Sequence, residues 1–175
     1  MTRPSLPGDV TQLADQQAAL QRMASAFGAV DAAFANAGRG LDAAGTEGGN
    51  ADEWQDMISI NILGLLFTAK AALPFLKETQ GHLLMTGSAA GRIHIKGSVY
   101  GASKWFVHGY GGNLAEEMRE WGGRCTVIAP GMVDTEFFDE AKPKAIRPDE
   151  VAQAALYALE AGDQAAVREV FLMPR

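Results

Sequence analysis

The sequence contains little cysteine, no cluster of basic residues and no cluster of metal-binding side chains. Its single cysteine, Cys125, cannot form an internal disulfide, and no Cys/His pattern has the spacing of a zinc site. We therefore predict no metal site. The formal net charge is −6 and no run of lysine or arginine is present, so we expect no nucleic-acid partner.

Targeting and membrane-spanning features are also scarce. The N-terminal segment MTRPSLPGDV lacks the apolar stretch of a signal peptide. The longest apolar segment, from Ile58 to Leu76, is interrupted by Asn61, Lys70 and Pro74, which favours a buried helix over a membrane span. We expect a cytoplasmic protein with no membrane partner, and a single cysteine is typical of a reducing compartment.

Segments with helical and strand periodicity alternate along the chain. Four strand-like segments, AVDAAFA, HLLMTGS, RCTVIAPG and REVFLM, are interspersed with predicted helices over residues 11–27, 52–79, 100–121 and 148–161. This alternation predicts an α/β fold, a mostly parallel sheet with helices on both faces. The chain of 175 residues is long enough for one hydrophobic core, and we predict a single domain over residues 1–175.

Small and polar loops follow three of the predicted strands. They are NAG (residues 36–38), TGS (residues 86–88) and PGMVDT (residues 130–135). In a parallel α/β sheet, ligands bind beyond the carboxyl ends of the strands. Because small residues allow a ligand to approach the backbone closely, these loops predict a binding site at that edge of the sheet.

Within the segment SVYGASK, Tyr100 and Lys104 are four residues apart. On a helix this spacing places both side chains on one face, with about 5–6 Å between their Cβ atoms. A lysine at that distance would favour the tyrosinate and lower the pKa of the phenol, making Tyr100 an acid or base near neutral pH. The spacing alone is common on solvated helix surfaces, so its meaning depends on the other motifs.

The order of these motifs resembles that of the short-chain dehydrogenase/reductase family. The residues that carry the resemblance are, in chain order, Asn36, Ala37 and Gly38 after one strand, Asn61 in the next helix, Ser88 after the next strand, Tyr100 and Lys104 in the following helix, and Pro130 and Gly131 after the strand that follows it. The resemblance extends from Gly8 to the last residue. It implies a Rossmann-like fold and a nicotinamide cofactor.

The resemblance also implies a role for each of four catalytic residues. Tyr100 would be the acid/base that gives a proton to a carbonyl oxygen in reduction and takes it back in oxidation. Lys104 would lower the pKa of Tyr100 and bind the nicotinamide ribose hydroxyls. Ser88 would hydrogen-bond the substrate oxygen, and Asn61 would hold a helix distortion and a water that links Lys104 to bulk solvent.

Further residues are implied to bind the cofactor. The turn around Asn36, Ala37 and Gly38 would lie at its adenosine side, and Asp9, with Val10, would contact the adenine. The residues after the third predicted strand, Pro130 and Gly131, lead into Val133 and Thr135, which would contact the nicotinamide carboxamide. The short loop between Thr135 and Arg147 and the ending VFLMPR resemble a subgroup that uses NADP, so we expect NAD or NADP, with NADP favoured. That loop would also cover the substrate, and its brevity suggests an open pocket.

Several of these residues also have structural interpretations. Taken alone, Ser88 is most often a loop serine and Asn61 a hydrogen-bonded core amide. His94 and His108 are possible catalytic bases, but the sequence places no carboxylate to orient either of them. We therefore expect both histidines at the surface or lining the pocket.

The start of the sequence departs from the family pattern. Members begin with a strand, a T-G-x-x-x-G-x-G turn and a helix whose N-terminal amides hold the cofactor pyrophosphate, and nothing like it precedes Gly8. Asp9 and Val10 resemble the end of the third strand of the family, so we expect a chain that lacks the first strands of the fold. A truncated gene product, a misassigned start codon or a partial sequence would each explain this. The AVDAAFA strand would then be a sheet edge, and these residues alone would bind the cofactor weakly.

Three functions are compatible with the sequence. The first is an NAD(P)-dependent oxidoreductase that acts on a small alcohol or ketone. The second is a catalytically inactive, truncated paralogue that acts only through oligomer assembly, and the third is a nucleotide-binding regulator. The apolar surface of the helices over residues 52–79 and 100–121 predicts a homodimer or homotetramer built on them.

Overall fold

Four parallel strands form the centre of the computed structural model, which describes residues 5–42, 45–135, 142–162 and 164–175. They are β1 (Ala32–Ala35), β2 (His82–Thr86), β3 (Arg124–Pro130) and β4 (Glu169–Leu172), and they lie side by side in that order. The predicted parallel sheet is confirmed, and β1 lies at one edge as expected. Residues 136–141, in the loop expected to cover the substrate, lie outside the described residues.

The helices connect the strands much as the periodicity predicts. They are α1 (Leu13–Phe27), α2 (Ala51–Ile58), α3 (Leu65–Thr79), α4 (Val99–Arg119) and α5 (Pro148–Leu159). The single helix predicted over residues 52–79 is interrupted by a π-helical segment, Ser59–Gly64, that joins α2 to α3. A short 3₁₀ turn, Ala89–Gly91, follows β2.

Side chains alternate between the two faces of the sheet and give each face its own core. Leu83 and Met85 of β2 and Val127 of β3 pack in a core with α1, α3 and α4. Leu84 of β2 and Ile128 of β3 point to the opposite face, where they pack against α5. This period-two alternation confirms helices on both faces.

One helical stretch of the described residues, Ala51–Thr79, is long and apolar enough to span a membrane by length and composition. Its inward side chains contact protein instead: Met57, Ala69 and Leu76 are fully buried. The α3 part of this stretch packs on α1 and on strands β1 and β2. A third of the most apolar window of this stretch is buried inside the protein, so one side of it belongs to the core, while the choice between a core helix and a membrane span stays a prediction from the sequence.

A buried histidine lies at the start of β2. His82 is 1% exposed, and its Nε2 lies 2.8 Å from the Thr126 hydroxyl oxygen. Because that hydroxyl donates its only hydrogen to the carbonyl of Val167, His82 Nε2 must be the donor. Its Nδ1 is buried without a partner, so a second proton there would have no acceptor. Burial, assisted by the positive charge of Arg124, lowers the pKa of His82 to about 4.

We predict that His82 makes the fold sensitive to acid. In the unfolded chain its pKa is near 6.5, so below that pH the unfolded state binds a proton that the folded state does not. The free energy of unfolding should therefore fall as pH drops from about 6.5 to about 4, by up to roughly 3 kcal/mol from this group. Urea unfolding across this range would measure it.

A His82→Gln variant should lose this part of the pH dependence, because glutamine does not titrate. The matched control is His94→Gln, which removes an exposed histidine and should leave the dependence as it is. Parallel pH profiles for His82→Gln and the unmodified protein would show that the protonation of His82 is not coupled to folding.

Candidate active site

A cavity of about 880 Å³ lies beyond the carboxyl ends of β1, β2 and β3. It is where the small polar loops predict a binding site. The predicted site residues that line it are Asn36, Gly38, Ser88, Tyr100, Lys104, Pro130, Gly131 and Val133. Apolar side chains, among them Ile93, Ile95 and Met132, line other parts of its wall. The sheet topology therefore brings residues from four separate segments of the chain to one cavity.

The remaining predicted site residues lie outside that lining. Asp9 accepts hydrogen bonds from the amide and the hydroxyl of Thr11, both at 2.8 Å, and so fixes the turn that leads into α1. Val10 packs against Gly64 at the end of the π-helical segment. Ala37 and Thr135 are exposed residues next to lining residues or close to them. Contacts of these four residues with a cofactor stay predictions.

Tyr100 lies in the first turn of α4, at the wall of the cavity. The helix begins there because Ser98 caps it: the Ser98 hydroxyl oxygen accepts a hydrogen bond from the Gly101 amide at 2.9 Å. The Ser88 side chain lies beside the Tyr100 hydroxyl, close enough to affect its pKa. Burial raises the pKa of Tyr100 above its ordinary value, and the Ser88 side chain lowers it in part.

Lys104 lies one turn further along α4 and is 4% exposed. Its Nζ donates a 2.8 Å hydrogen bond to the carbonyl of Thr86 at the end of β2 and lies 5.9 Å from the Tyr100 ring centroid. Burial lowers the pKa of Lys104 to about 8. The net pKa of Tyr100 is not lowered as the spacing predicts, because burial of the phenol is the largest cause and raises it. A separate lowering effect of Lys104 on Tyr100 stays a prediction.

Asn61 lies in the π-helical segment and is 2% exposed. Its Oδ1 accepts a hydrogen bond from the Arg39 amide at 2.9 Å, and its Nδ2 donates to the Arg39 carbonyl at 3.0 Å and to the Ser103 hydroxyl at 3.2 Å. Ser103 in turn donates to the carbonyl of Tyr100 at 2.7 Å. The helix distortion expected at Asn61 is present, and the amide joins the loop after β1 to the helix that carries Tyr100.

Two further contacts hold the strand ends in place. The Thr86 hydroxyl donates to Asn36 Oδ1 at 2.7 Å, which ties the end of β2 to the end of β1. Gly38 lies between Asn61 and Lys104: a Cβ there would be 3.3 Å from Asn61 Oδ1 and 3.6 Å from Lys104 Nζ. The absence of a side chain at Gly38 therefore leaves the Lys104 ammonium accessible from the cavity side of this loop.

The cavity has features that fit the nicotinamide half of a dinucleotide. Its volume of about 880 Å³ is that of a typical small-molecule site. The Lys104 ammonium can donate to ribose hydroxyls, and the Ser88–Tyr100 pair lies in the same wall. The backbone at Pro130 and Gly131 offers a surface without bulky polar groups. These residues could hold a nicotinamide ring and its ribose.

A histidine–carboxylate pair that the sequence did not predict lies next to Ser88: His108 is buried and Glu169 is half-buried. His108 is 6% exposed, its Nε2 lies 3.0 Å from the Ser88 carbonyl oxygen, and its Nδ1 lies 3.5 Å from Glu169 Oε2. The expectations that no carboxylate faces His108 and that it lies at the surface or lines the pocket are therefore wrong. Part of the pattern was available, since His108 follows Lys104 by four residues and so lies on the same side of the helix. Glu169 lies 61 residues further along the chain, and the local pattern gave no indication of it.

Comparisons with known proteins agree with this geometry. A family model described as short chain dehydrogenase matches residues 4–145. An uncharacterized oxidoreductase of Staphylococcus aureus is 36% identical over 174 residues, which cover 97% of this chain and 75% of that protein.

Two solved structures are also similar. An alcohol dehydrogenase from the archaeon Thermococcus sibiricus, complexed with 5-hydroxy-NADP, has a TM-score of 0.85 and 30% identity, over 94% of this chain and 71% of that one. A metagenomic short-chain oxidoreductase in complex with NADP has a TM-score of 0.81 and 27% identity, over 95% of this chain and 72% of that one.

Proposed function

The chain belongs to the short-chain dehydrogenase family, and on that premise we propose that it transfers a hydride between a nicotinamide cofactor and a small alcohol or ketone, with Tyr100 as acid/base. The observation that carries the proposal is that the Ser88 and Tyr100 side chains lie beside each other in the wall of the cavity, with Lys104 one helical turn away in the same wall. A hydroxyl pair of this kind can bind one carbonyl oxygen from two sides.

Reduction requires a proton at the carbonyl oxygen as negative charge develops there. Tyr100 Oη would give that proton, because a phenol with an ordinary pKa near 10, raised further here by burial, is protonated at neutral pH. The Ser88 hydroxyl would hydrogen-bond the same oxygen and stabilise its charge. Ser88 is oriented for this by the Ala90 amide, which donates to Ser88 Oγ at 3.1 Å.

Lys104 would stabilise the tyrosinate that remains after proton transfer. With a pKa of about 8 it is mostly charged at pH 7, and in a buried site its charge is screened little by water. The Thr86 carbonyl holds the ammonium in place beside the cavity. Stabilisation of the tyrosinate by Lys104 would lower the pKa of Tyr100 and so oppose the effect of burial, which is the larger one in the structure without cofactor.

The cofactor, when bound, would supply or accept the hydride. We propose that Lys104 and Gly38 hold the ribose side and that Pro130, Gly131 and Val133 hold the nicotinamide side, with Asn36 towards the adenosine. Asp9, Val10, Ala37 and Thr135 would complete the site in the roles that the family implies. NADP is favoured, and its support is that both similar structures above were solved with NADP or a derivative of it.

A Tyr100→Phe variant tests the acid/base assignment. We expect kcat for reduction of a small ketone to fall by roughly 10²–10⁴-fold, because phenylalanine cannot supply the proton. The assay would follow NADPH absorbance at millimolar cofactor. The matched control is Tyr110→Phe, which removes a hydroxyl from the same helix, outside the cavity lining, and should keep normal turnover.

More than half of the normal kcat in Tyr100→Phe would contradict the role of Tyr100. Absence of turnover in the unmodified protein, with NADPH and NADH and a panel of ketones and alcohols, would contradict the enzymatic proposal and favour the inactive alternative.

We also propose a homodimer or homotetramer in which α4 pairs with α4 of a second copy. Trp105 of α4 and Leu63 of the π-helical segment are large apolar side chains that are 39% and 42% exposed. On the open side of α4, a Cβ at Gly109 or Gly112 would meet nothing within 4 Å, so another helix could approach closely there.

A Gly112→Leu variant tests this interface. It should fold, since the position is open, but block close pairing of helices and shift the mass from dimer or tetramer towards monomer. Light scattering at micromolar concentration measures the mass, and Gly162→Leu, at another open position, is the control. A monomeric unmodified protein would contradict the proposal.

A further inference from the structure

A ring of contacts joins three charged or polar side chains to the loop that carries Ser88. We call residues 88–92, which follow β2, the serine loop. His108 of α4 contacts its first residue, Glu169 of β4 contacts His108, and Arg92 at the end of the serine loop contacts Glu169. None of these three side chains is among the residues that line the cavity.

The His108 ring fits closely against the serine loop. Its Nε2 donates to the Ser88 carbonyl oxygen at 3.0 Å, because a carbonyl can only accept. A Cβ at Gly87 would be 2.9 Å from His108 Nε2, and one at Gly91 would be 2.5 Å from His108 Cδ2. The backbone on both sides of Ser88 therefore lies directly on the imidazole, and the glycines permit this approach.

Glu169 faces the other edge of the ring. Its Oε2 lies 3.5 Å from His108 Nδ1, and Arg92 holds the carboxylate with a 3.1 Å bond from Nε to Oε1 and a second bond from Nη2 to Oε2. The Arg92 guanidinium is the main cause that holds the pKa of Glu169 below its usual range. Glu169 is thus a fixed anion beside His108 Nδ1, which makes no hydrogen bond at this distance. Because a carboxylate oxygen can only accept, the contact is attractive when Nδ1 carries a proton, and it then favours the ring orientation with nitrogen, rather than carbon, at both contacts.

Ser88 also has contacts other than the one from His108. Its carbonyl accepts from the Gly91 amide at 2.9 Å, and its hydroxyl oxygen accepts from the Ala90 amide, so both of these bonds lie within the serine loop. The serine loop packs on α4, where a Cβ at Gly91 would be 2.6 Å from the Lys104 carbonyl oxygen, and the Ser88 side chain lies beside Tyr100. The bond from His108 adds a hydrogen bond between the Ser88 backbone and the same helix that carries Tyr100.

We propose that His108 is a positioning residue that sets Ser88 at hydrogen-bonding distance from Tyr100, and that Glu169, held by Arg92, fixes the His108 ring. This inference rests on the proposed function, because it assigns His108 to the placement of a catalytic pair. It also gives β4 an indirect role, because Glu169 of this strand would act on the position of Ser88 through His108.

The test compares three variants with a matched control. His108→Phe removes the ring nitrogens, and Glu169→Gln removes the anion while keeping the shape. His108→Gln keeps an N–H that can reach the Ser88 carbonyl. The control is Glu116→Gln, which breaks exposed ion pairs of α4 with Arg119 and with Arg168, the residue just before β4.

We expect His108→Phe to lower kcat for ketone reduction by roughly ten- to hundredfold, the cost of a misplaced catalytic group, with KM for NADPH nearly unchanged. Glu169→Gln should show a smaller loss of the same kind, and His108→Gln should recover most of the kcat. Glu116→Gln should behave like the unmodified protein. If His108 only stabilised the fold, His108→Phe would lower thermal stability and kcat together, and His108→Gln would not recover the kcat.

Hydrogen exchange of the cofactor-free protein provides a readout that does not need activity. Amides of the serine loop should exchange faster in His108→Phe and Glu169→Gln, while β3 keeps its protection. Normal serine-loop exchange in both variants, or kcat within about twofold of normal in both, would overturn the proposal. If the unmodified protein has no turnover, the proposed function fails, and the exchange result still decides whether His108 and Glu169 fix the serine loop.

Discussion

The buried amide of Asn61 is the contact on which the geometry of the site depends most. It binds both backbone groups of Arg39 and the Ser103 hydroxyl, so it joins the loop after β1, the π-helical segment and α4. Removal of this side chain would take away the partner of both half-buried backbone groups of Arg39, while the Ser103 hydroxyl would keep its bond to the Tyr100 carbonyl. A hydrogen bond lost in this way costs about 0.5–1.5 kcal/mol, and more where the group is left without any partner. The irregular turn of helix is what brings Asn61 within reach of them, which explains why an otherwise apolar helix is interrupted there.

Two residues of α4, Tyr100 and Lys104, have different roles in the proposed reaction. The first turn of α4 carries Tyr100, whose raised pKa suits a group that must hold a proton until a substrate arrives. One turn later Lys104, with a lowered pKa, is held by the Thr86 carbonyl. Burial shifts both pKa values towards the neutral forms, so the charges that develop during proton transfer would be stabilised by a preorganised site rather than by water.

The sequence predicted the fold well because its main features are local. Strand segments such as HLLMTGS alternate between two faces, and the helices between them have regular periods and recognisable ends. The cavity residues were also predictable, since parallel strands bring their carboxyl ends to one edge. What could not be predicted depends on distant packing: Glu169 reaches His108 only through the register of β4, and the pKa of Tyr100 depends on how deeply the phenol is buried. The spacing of Tyr100 and Lys104 predicts that their side chains lie close together, but it does not predict how deeply each is buried.

The central claim is that this chain moves a hydride to a carbonyl carbon while Tyr100 protonates the oxygen. The most direct measurement is the fate of the hydride itself. The protein would be incubated with a small ketone and NADPH that carries deuterium on both positions of nicotinamide C4, and the alcohol product analysed by mass spectrometry. We expect the alcohol product to carry one deuterium at the carbinol carbon and to be a single enantiomer, and we expect almost no product from Tyr100→Phe. Alcohol without deuterium, or no alcohol at any cofactor concentration, would contradict it.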